Sequence, residues 1–199
     1  MNDSLFEQVN ALARATSWLH PVLLGYANYG VVLFGLLLVA GWWVARRCGR
    51  PEPVAALICA VVATLVAVAI NQPIVNAVHE ARPYTTHPGA LVLVTRSADF
   101  SFPSDHAVMA GAVALGLGFV SRGLAALSTV AALVMAFARV YIAAHYPGDV
   151  LVGLVLGAGV ALVVYLVFHT RVTRLVVTAS RSRRLRPLVL ASSSPATPR

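Results

Sequence analysis

The chain reads as an all-α integral membrane protein: five transmembrane helices preceded by an amphipathic interfacial helix. Two observations predict this. Of 199 residues, 59% are hydrophobic and only 11% charged, where a soluble domain carries about 25% charged residues. The apolar residues also gather into five long runs, parted by short polar or basic stretches, the pattern of helices threading a hydrocarbon layer. One folded unit is the default at this length. It is placed at residues 1–170, with a basic, partly disordered tail at 171–199.

The net charge is +8, and all 15 basic residues are arginine. A basic balance can mean nucleic acid. Here the arginines sit at the ends of apolar runs and in the tail, without interleaved aromatics, so the partner they indicate is the lipid bilayer and no nucleic acid is expected. Cys48 and Cys59 form neither a metal pattern nor a disulfide framework.

The first twenty residues lack a signal peptide's basic start, since Asp3 and Glu7 stand there. Ser4 and Glu7 fit a capping box, and Leu5, Val9, Leu12 and Ala13 fall on one helical face. This predicts a short helix lying on the membrane surface. Val22–Ala45 is the first span, ending in Trp42, Trp43 and then Arg46, Arg47 and Arg50. Pro53 suits the first turn of the second span, Val54 to about Val78. Asn71, Gln72 and Pro73 interrupt that span and predict kinked or wet last turns. A long connection, 79–102, follows, of a length that is usually functional or disordered.

Ser104–Val120 is the third span, rich in glycine. Leu124–Ala144 is the fourth and Pro147–Phe168 the fifth, with Gly153 and Gly157 as a small-xxx-small pair for close helix packing. The start of the tail is open to continuing the fifth helix. Its end, SSSPATPR, reads as disordered. Span parity and the arginines give an orientation: Arg46, Arg47, Arg50, Arg122 and the tail arginines fall on one side, the cytoplasmic one. The 79–102 connection and the 139–149 turn then share the outer side.

Three polar islands lie on that outer side: Glu80-Ala81-Arg82-Pro83-Tyr84, the stretch SFPSDHA at 101–107, and Arg139 with His145 and Asp149. Ionisable residues at membrane depth are costly and mark function. Ser104 opens a helix whose free N–H groups suit an anion, though a plain N-cap reads the same way. Arg82 and Arg139 match phosphate oxygens in bidentate fashion. Asp149, four residues after His145, is placed to reach back to the imidazole and orient it. Asp105 next to a phosphate would repel it unless turned away or paired with an arginine.

These residues resemble the motifs of the type-2 phosphatidic acid phosphatase superfamily: K-x6-R-P, P-S-G-H and S-R-x5-H-x3-D. Here they read Val75-x6-Arg82-Pro83, Pro103-Ser104-Asp105-His106 and Ala138-Arg139-x5-His145-x3-Asp149. Val75, Asp105 and Ala138 depart from the pattern. The first two departures are similar to the undecaprenyl-diphosphate phosphatase branch, which carries F-P-S-D-H and an R-P without the lysine.

The resemblance implies that residues 1–170 are a membrane phosphatase domain, in which His145 attacks phosphorus to form a phosphohistidine. It implies that Asp149 orients His145, that His106 protonates the leaving oxygen and then activates water, and that Arg82, Ser104 and Arg139 hold the phosphate. It implies no metal and no cofactor. Asp105, Tyr84 and His79 are candidates for headgroup or supporting contacts. The implied substrate is a membrane lipid, a polyprenyl diphosphate, cleaved at the outer face of a bacterial plasma membrane to recycle a cell-wall carrier. Phosphatidic acid and phosphatidylglycerol phosphate remain open as substrates. A non-catalytic lipid-phosphate binder or transporter is the reading from another class, and the His145–Asp149 pair counts against it, because binding alone needs no oriented nucleophile.

Overall fold

The computed structural model describes residues 2–182 and 184–189. Among these, all regular elements are helical: α1 (Asn2–Ala15), α2 (His20–Arg47), α3 (Pro51–Val78), α4 (Pro83–Thr86), α5 (Asp105–Gly118), α6 (Arg122–Tyr141), α7 (Pro147–Arg181) and α8 (Arg186–Val189), with a 3-10 turn at Ser17–Leu19. Four helices, α2, α3, α6 and α7, are long and apolar enough to cross a membrane.

The expected third span is different. It is α5, with only 14 residues, about 21 Å at 1.5 Å per residue against a hydrocarbon core of about 30 Å. The difference has a physical reason. Ser101, Pro103 and Ser104 are buried although non-helical, so the chain enters the bundle before the helix begins. Irregular backbone is tolerated at such depth when protein surrounds it.

α5 sits at the centre and packs against α7, α6 and α3. Its contact with α7 is made by backbone. A Cβ on Gly157 would lie 1.9 Å from the carbonyl oxygen of Val108, and one on Gly111 would lie 2.2 Å from that of Leu154. Only glycine allows so close an approach. The expected Gly153/Gly157 pair is therefore turned towards α5.

α3 starts at Pro51, where a missing N–H costs nothing. It runs without a break through Pro73 to Val78, so the polar trio does not end the helix. Asn71 is fully buried and donates to the Pro103 carbonyl at 3.1 Å. Its polarity serves a partner on another segment.

α7 continues to Arg181, well past the expected end at Phe168. Val172 and Val176 pack against Ala45, Val54 and Ala55 at the ends of α2 and α3, and that apolar contact carries the helix on. The expected disordered SSSPATPR end lies outside the described residues.

α1 begins at Asn2, so Ser4 stands inside the helix and caps nothing. Its buried face is Phe6, Asn10 and Ala13, while Leu5 and Leu12 are exposed. The expected apolar face is split: Val9 and Ala13 pack inward, whereas Leu5 and Leu12 face outward. The Asn10 amide pairs with Leu91 in both directions, N–H to carbonyl at 2.8 Å and Leu91 N–H to Oδ1 at 2.9 Å. The helix is thereby tied to the 79–102 connection.

Candidate active site

The three polar islands meet around a cavity of about 540 Å³, lined by Arg82, Asp105, His106, Arg139 and His145. α3 completes the wall with Gln72, Val75 and Asn76, and Asp99 and Phe100 come from the connection.

Each side chain is held by its local structure. Arg82 precedes Pro83, which forces extended backbone before a short helix (φ −70°, ψ 152°). Its guanidinium donates to the carbonyls of Asp99 at 3.0 Å and Ala144 at 3.1 Å. Arg139 lies in the last turn of α6, buried, and its Nε has no partner. His145 follows a tight turn in which Ala143 takes φ 62°. The backbone N–H groups of both Ala144 and His145 return to the carbonyl of Arg139, at 3.1 and 3.3 Å. This closes the turn and brings the arginine and the histidine together.

The His145 ring is read from its partners. Nδ1 lies 2.8 Å from the Ser101 carbonyl, which can only accept, so Nδ1 carries the proton. Nε2 then carries the unprotonated lone pair. Arg139 approaches it at 3.2 Å and Arg82 at 3.5 Å. Burial pushes the His145 pKa down to about 4, the charges of Arg139 and Arg82 add to this, and Asp149 opposes it. At neutral pH the site thus holds an uncharged imidazole, its lone pair facing a cavity between two guanidiniums. Such a group can attack an electrophile whose anionic oxygens the arginines bind.

Asp149 is fully buried in the first turn of α7. Its Oδ2 accepts from the Tyr146 N–H at 2.9 Å and from the Ser101 hydroxyl, and lies 3.6 Å from His145 Nδ1. It does not line the cavity. Ser104 is the N-cap of α5, and its buried hydroxyl has neither a capping bond nor any other partner. Asp105 does face the cavity, yet its Oδ1 is held by the Asn71 and Gln72 amides at 2.7 and 2.9 Å. These donors are neutral amides on α3, so they hold the carboxylate in place without cancelling its charge.

Tyr84 and His79 stand outside the cavity wall. The Tyr84 hydroxyl exchanges hydrogen bonds with the backbone of Ser97, both at 3.0 Å. His79 caps α3 in the left-handed region (φ 56°), and its ring meets Phe100 edge-on at 4.4 Å. Both support the connection that carries the lining residues. Among the described residues, no group of three or more His, Cys, Asp and Glu side chains is arranged to hold a metal ion.

From the sequence alone, Asn71 and Gln72 read only as an interruption of a span, and Ser101 as part of SFPSDHA with no role of its own. For the amides a signal existed: two polar residues side by side in an apolar span are costly unless they have a partner. For Ser101 there was none, because a serine in a loop is ordinary.

A family model for the PAP2 superfamily matches residues 56–173. The chain belongs to this superfamily. Relatives of the PAP2 chain include undecaprenyl-diphosphatase BcrC of Bacillus subtilis, 29% identical over 78% of each chain. Another is decaprenylphosphoryl-5-phosphoribose phosphatase of Mycobacterium tuberculosis, 36% identical over 70% of this chain and 75% of that protein. Among solved structures, the PAP2-type phosphatidylglycerolphosphate phosphatase of Bacillus subtilis superposes with a TM-score of 0.58 at 24% identity, covering 81% of this chain and 83% of that one. At that identity the likeness speaks for the fold alone. The protein is a multi-pass membrane lipid phosphatase, a hydrolase acting on lipid phosphates.

Proposed function

We propose that the chain hydrolyses a polyprenyl diphosphate of the undecaprenyl type to its monophosphate through a phosphohistidine, recycling a cell-wall lipid carrier. The observation that carries the mechanism is the His145 Nε2 lone pair, flanked by Arg139 at 3.2 Å and Arg82 at 3.5 Å. Both arginines, with the unpartnered Ser104 hydroxyl, take the terminal phosphate. Nε2 attacks its phosphorus, and the bond to the bridging oxygen breaks. His106 gives a proton to the departing lipid monophosphate, then removes one from water as that water attacks the phosphohistidine. The N–P bond breaks, inorganic phosphate leaves, and both histidines return to their starting states. Charge stabilisation at the equatorial oxygens does most of the work in such a transfer.

The choice of a diphosphate rests on Asp105 and Val75 and on the name of the Bacillus subtilis relative. The Mycobacterium tuberculosis relative favours a second reading, a phosphate monoester on the same class of prenyl lipid. Phosphate release by detergent-purified protein tests both, with a polyprenyl diphosphate, a prenyl-linked phosphate monoester, phosphatidic acid and phosphatidylglycerol phosphate compared side by side. Fastest turnover of either phospholipid overturns the prenyl-lipid reading.

The topology in this reading has five spans, α2, α3, α5, α6 and α7, in a bacterial plasma membrane. The active site faces outward, and α1 lies on the outer surface with Leu5 and Leu12 towards lipid. Residues 1–170 form the phosphatase unit. The basic tail, 171–199, is cytoplasmic and starts as the continuation of α7. A reporter fused after Arg199 that works only outside the cytoplasm stays silent in this arrangement, and a strong signal overturns it.

A further inference from the structure

We propose that Ser101 is the positioning residue through which Asp149 acts on His145. The inference rests on the phosphohistidine reading above and adds a residue to it. An aspartate four residues after a histidine suggests direct contact, but here Asp149 Oδ2 lies 3.6 Å from Nδ1, beyond the 2.7–3.2 Å of an N–H···O bond. Ser101 fills the gap. Its hydroxyl donates to Asp149 Oδ2, its carbonyl accepts the Nδ1 proton at 2.8 Å, and its own N–H donates to the Glu80 carbonyl at 2.8 Å. The residue has no exposed surface, so none of these groups can turn to water instead.

The residue type matters. Any amino acid at position 101 offers a carbonyl to the imidazole. Only a hydroxyl also anchors that carbonyl to the buried carboxylate. The same Oδ2 holds the Tyr146 N–H at 2.9 Å. One oxygen therefore fixes both the segment that accepts from His145 and the helix start that follows it. The direction of Nε2 is set by this three-member chain of carboxylate, serine and imidazole. Alanine at 101 would leave residue 101 held only by its N–H to Glu80, and Oδ2 with one donor instead of two.

The test uses the full-length protein in detergent with a polyprenyl diphosphate. Ser101→Ala lowers kcat by about 10- to 100-fold, the scale of a lost hydrogen bond to a charged group. KM stays within about twofold, because Arg82, Arg139 and Ser104 are untouched. Ser101→Cys keeps the size with a weaker donor, gives an intermediate kcat, and serves as the second variant should alanine fail to fold. The double variant Ser101→Ala/Asp149→Asn loses no more than the worse single variant, since both act along one chain. Losses that multiply mean that Asp149 reaches His145 independently, and they overturn the proposal. Wild-type kcat in Ser101→Ala, with His145→Ala inactive, also overturns it. Turnover surviving in His145→Ala would instead overturn the phosphohistidine reading on which it rests.

Discussion

α5 and α2 are opposite solutions to life in a bilayer. α2 has 28 residues and presents much of its length outward, with Val32 and Leu36 exposed by 62% and 60%. α5 has half that length and meets its neighbours backbone to backbone. A long apolar helix can be held by side-chain contact and by lipid alone. A short helix entered by buried, non-helical chain cannot, and α3, α6 and α7 must enclose it. The enclosed helix is also the one whose amino end carries the polar cluster. Close packing is concentrated beside the polar cluster, and the periphery is left to the membrane.

This contrast can be broken or sharpened by experiment. The largest expected effect is at the enclosed end. His145→Ala lowers turnover on the order of 10⁴-fold or more, while EDTA leaves the wild type unchanged. Residual activity near the wild type, measured as phosphate release, would move the chemistry away from the α5–α7 side.

Next comes His106, in the first turn of α5. General acid catalysis contributes about 10²–10⁴-fold. A lipid monophosphate leaves with a second pKa of about 6, whereas an alkoxide needs its proton in the transition state. His106→Ala therefore costs a monoester near the top of that range and a diphosphate near or below the bottom. Single-turnover phosphorylation of His145 is the readout. Equal losses would reassign His106 to binding.

The pH profile follows from His145, whose pKa is held down at about 4. Its lone pair is free above that value and lost below it. The His145 contribution to kcat/KM is accordingly flat from about pH 7 to about pH 5 and falls tenfold per unit below about pH 4. An acid limb centred near the ordinary histidine value of about 6.5 would mean that the ring is far more solvated than its burial indicates.

The smallest effects separate the two helices directly. Gly157→Ala places a methyl group 1.9 Å from the Val108 carbonyl. Overpacking of this kind costs about 1–3 kcal/mol, and more where backbone must move. Gly35→Ala on α2 meets nothing within 4 Å and stays within about 0.5 kcal/mol of neutral or gains slightly from helix propensity. Thermal unfolding in one detergent compares them. Similar shifts would mean that α5 is no more tightly enclosed than α2.

The sequence made much of this legible, for reasons that can be named. Five apolar runs, Pro51–Pro53, the Gly153/Gly157 pair and the spacing of Arg139, His145 and Asp149 are local patterns with local causes. The cavity then gathers Arg82, Asp105, His106, Arg139 and His145 from segments far apart in the chain. What stayed hidden was tertiary. The length of α5 depends on buried chain before it, which hydropathy scores as helix. Asn10 faces inward only because the Leu91 backbone is there to meet it. Asn71 and Gln72 look like a break in α3 until Asp105 is seen against them. The role of Ser101 needs three separate segments in place before it exists.

The two guanidiniums that rest on the His145 ring nitrogen have a further consequence. The lone pair points towards that pair of N–H donors, at 3.2 and 3.5 Å. A phosphate offers those donors stronger, charged acceptors and draws them away. In the phosphohistidine reading proposed above, arrival of the headgroup and release of the attacking atom then become one event. On that reading the charge to be removed also uncovers the nucleophile, and a neutral molecule of the same shape would leave it covered.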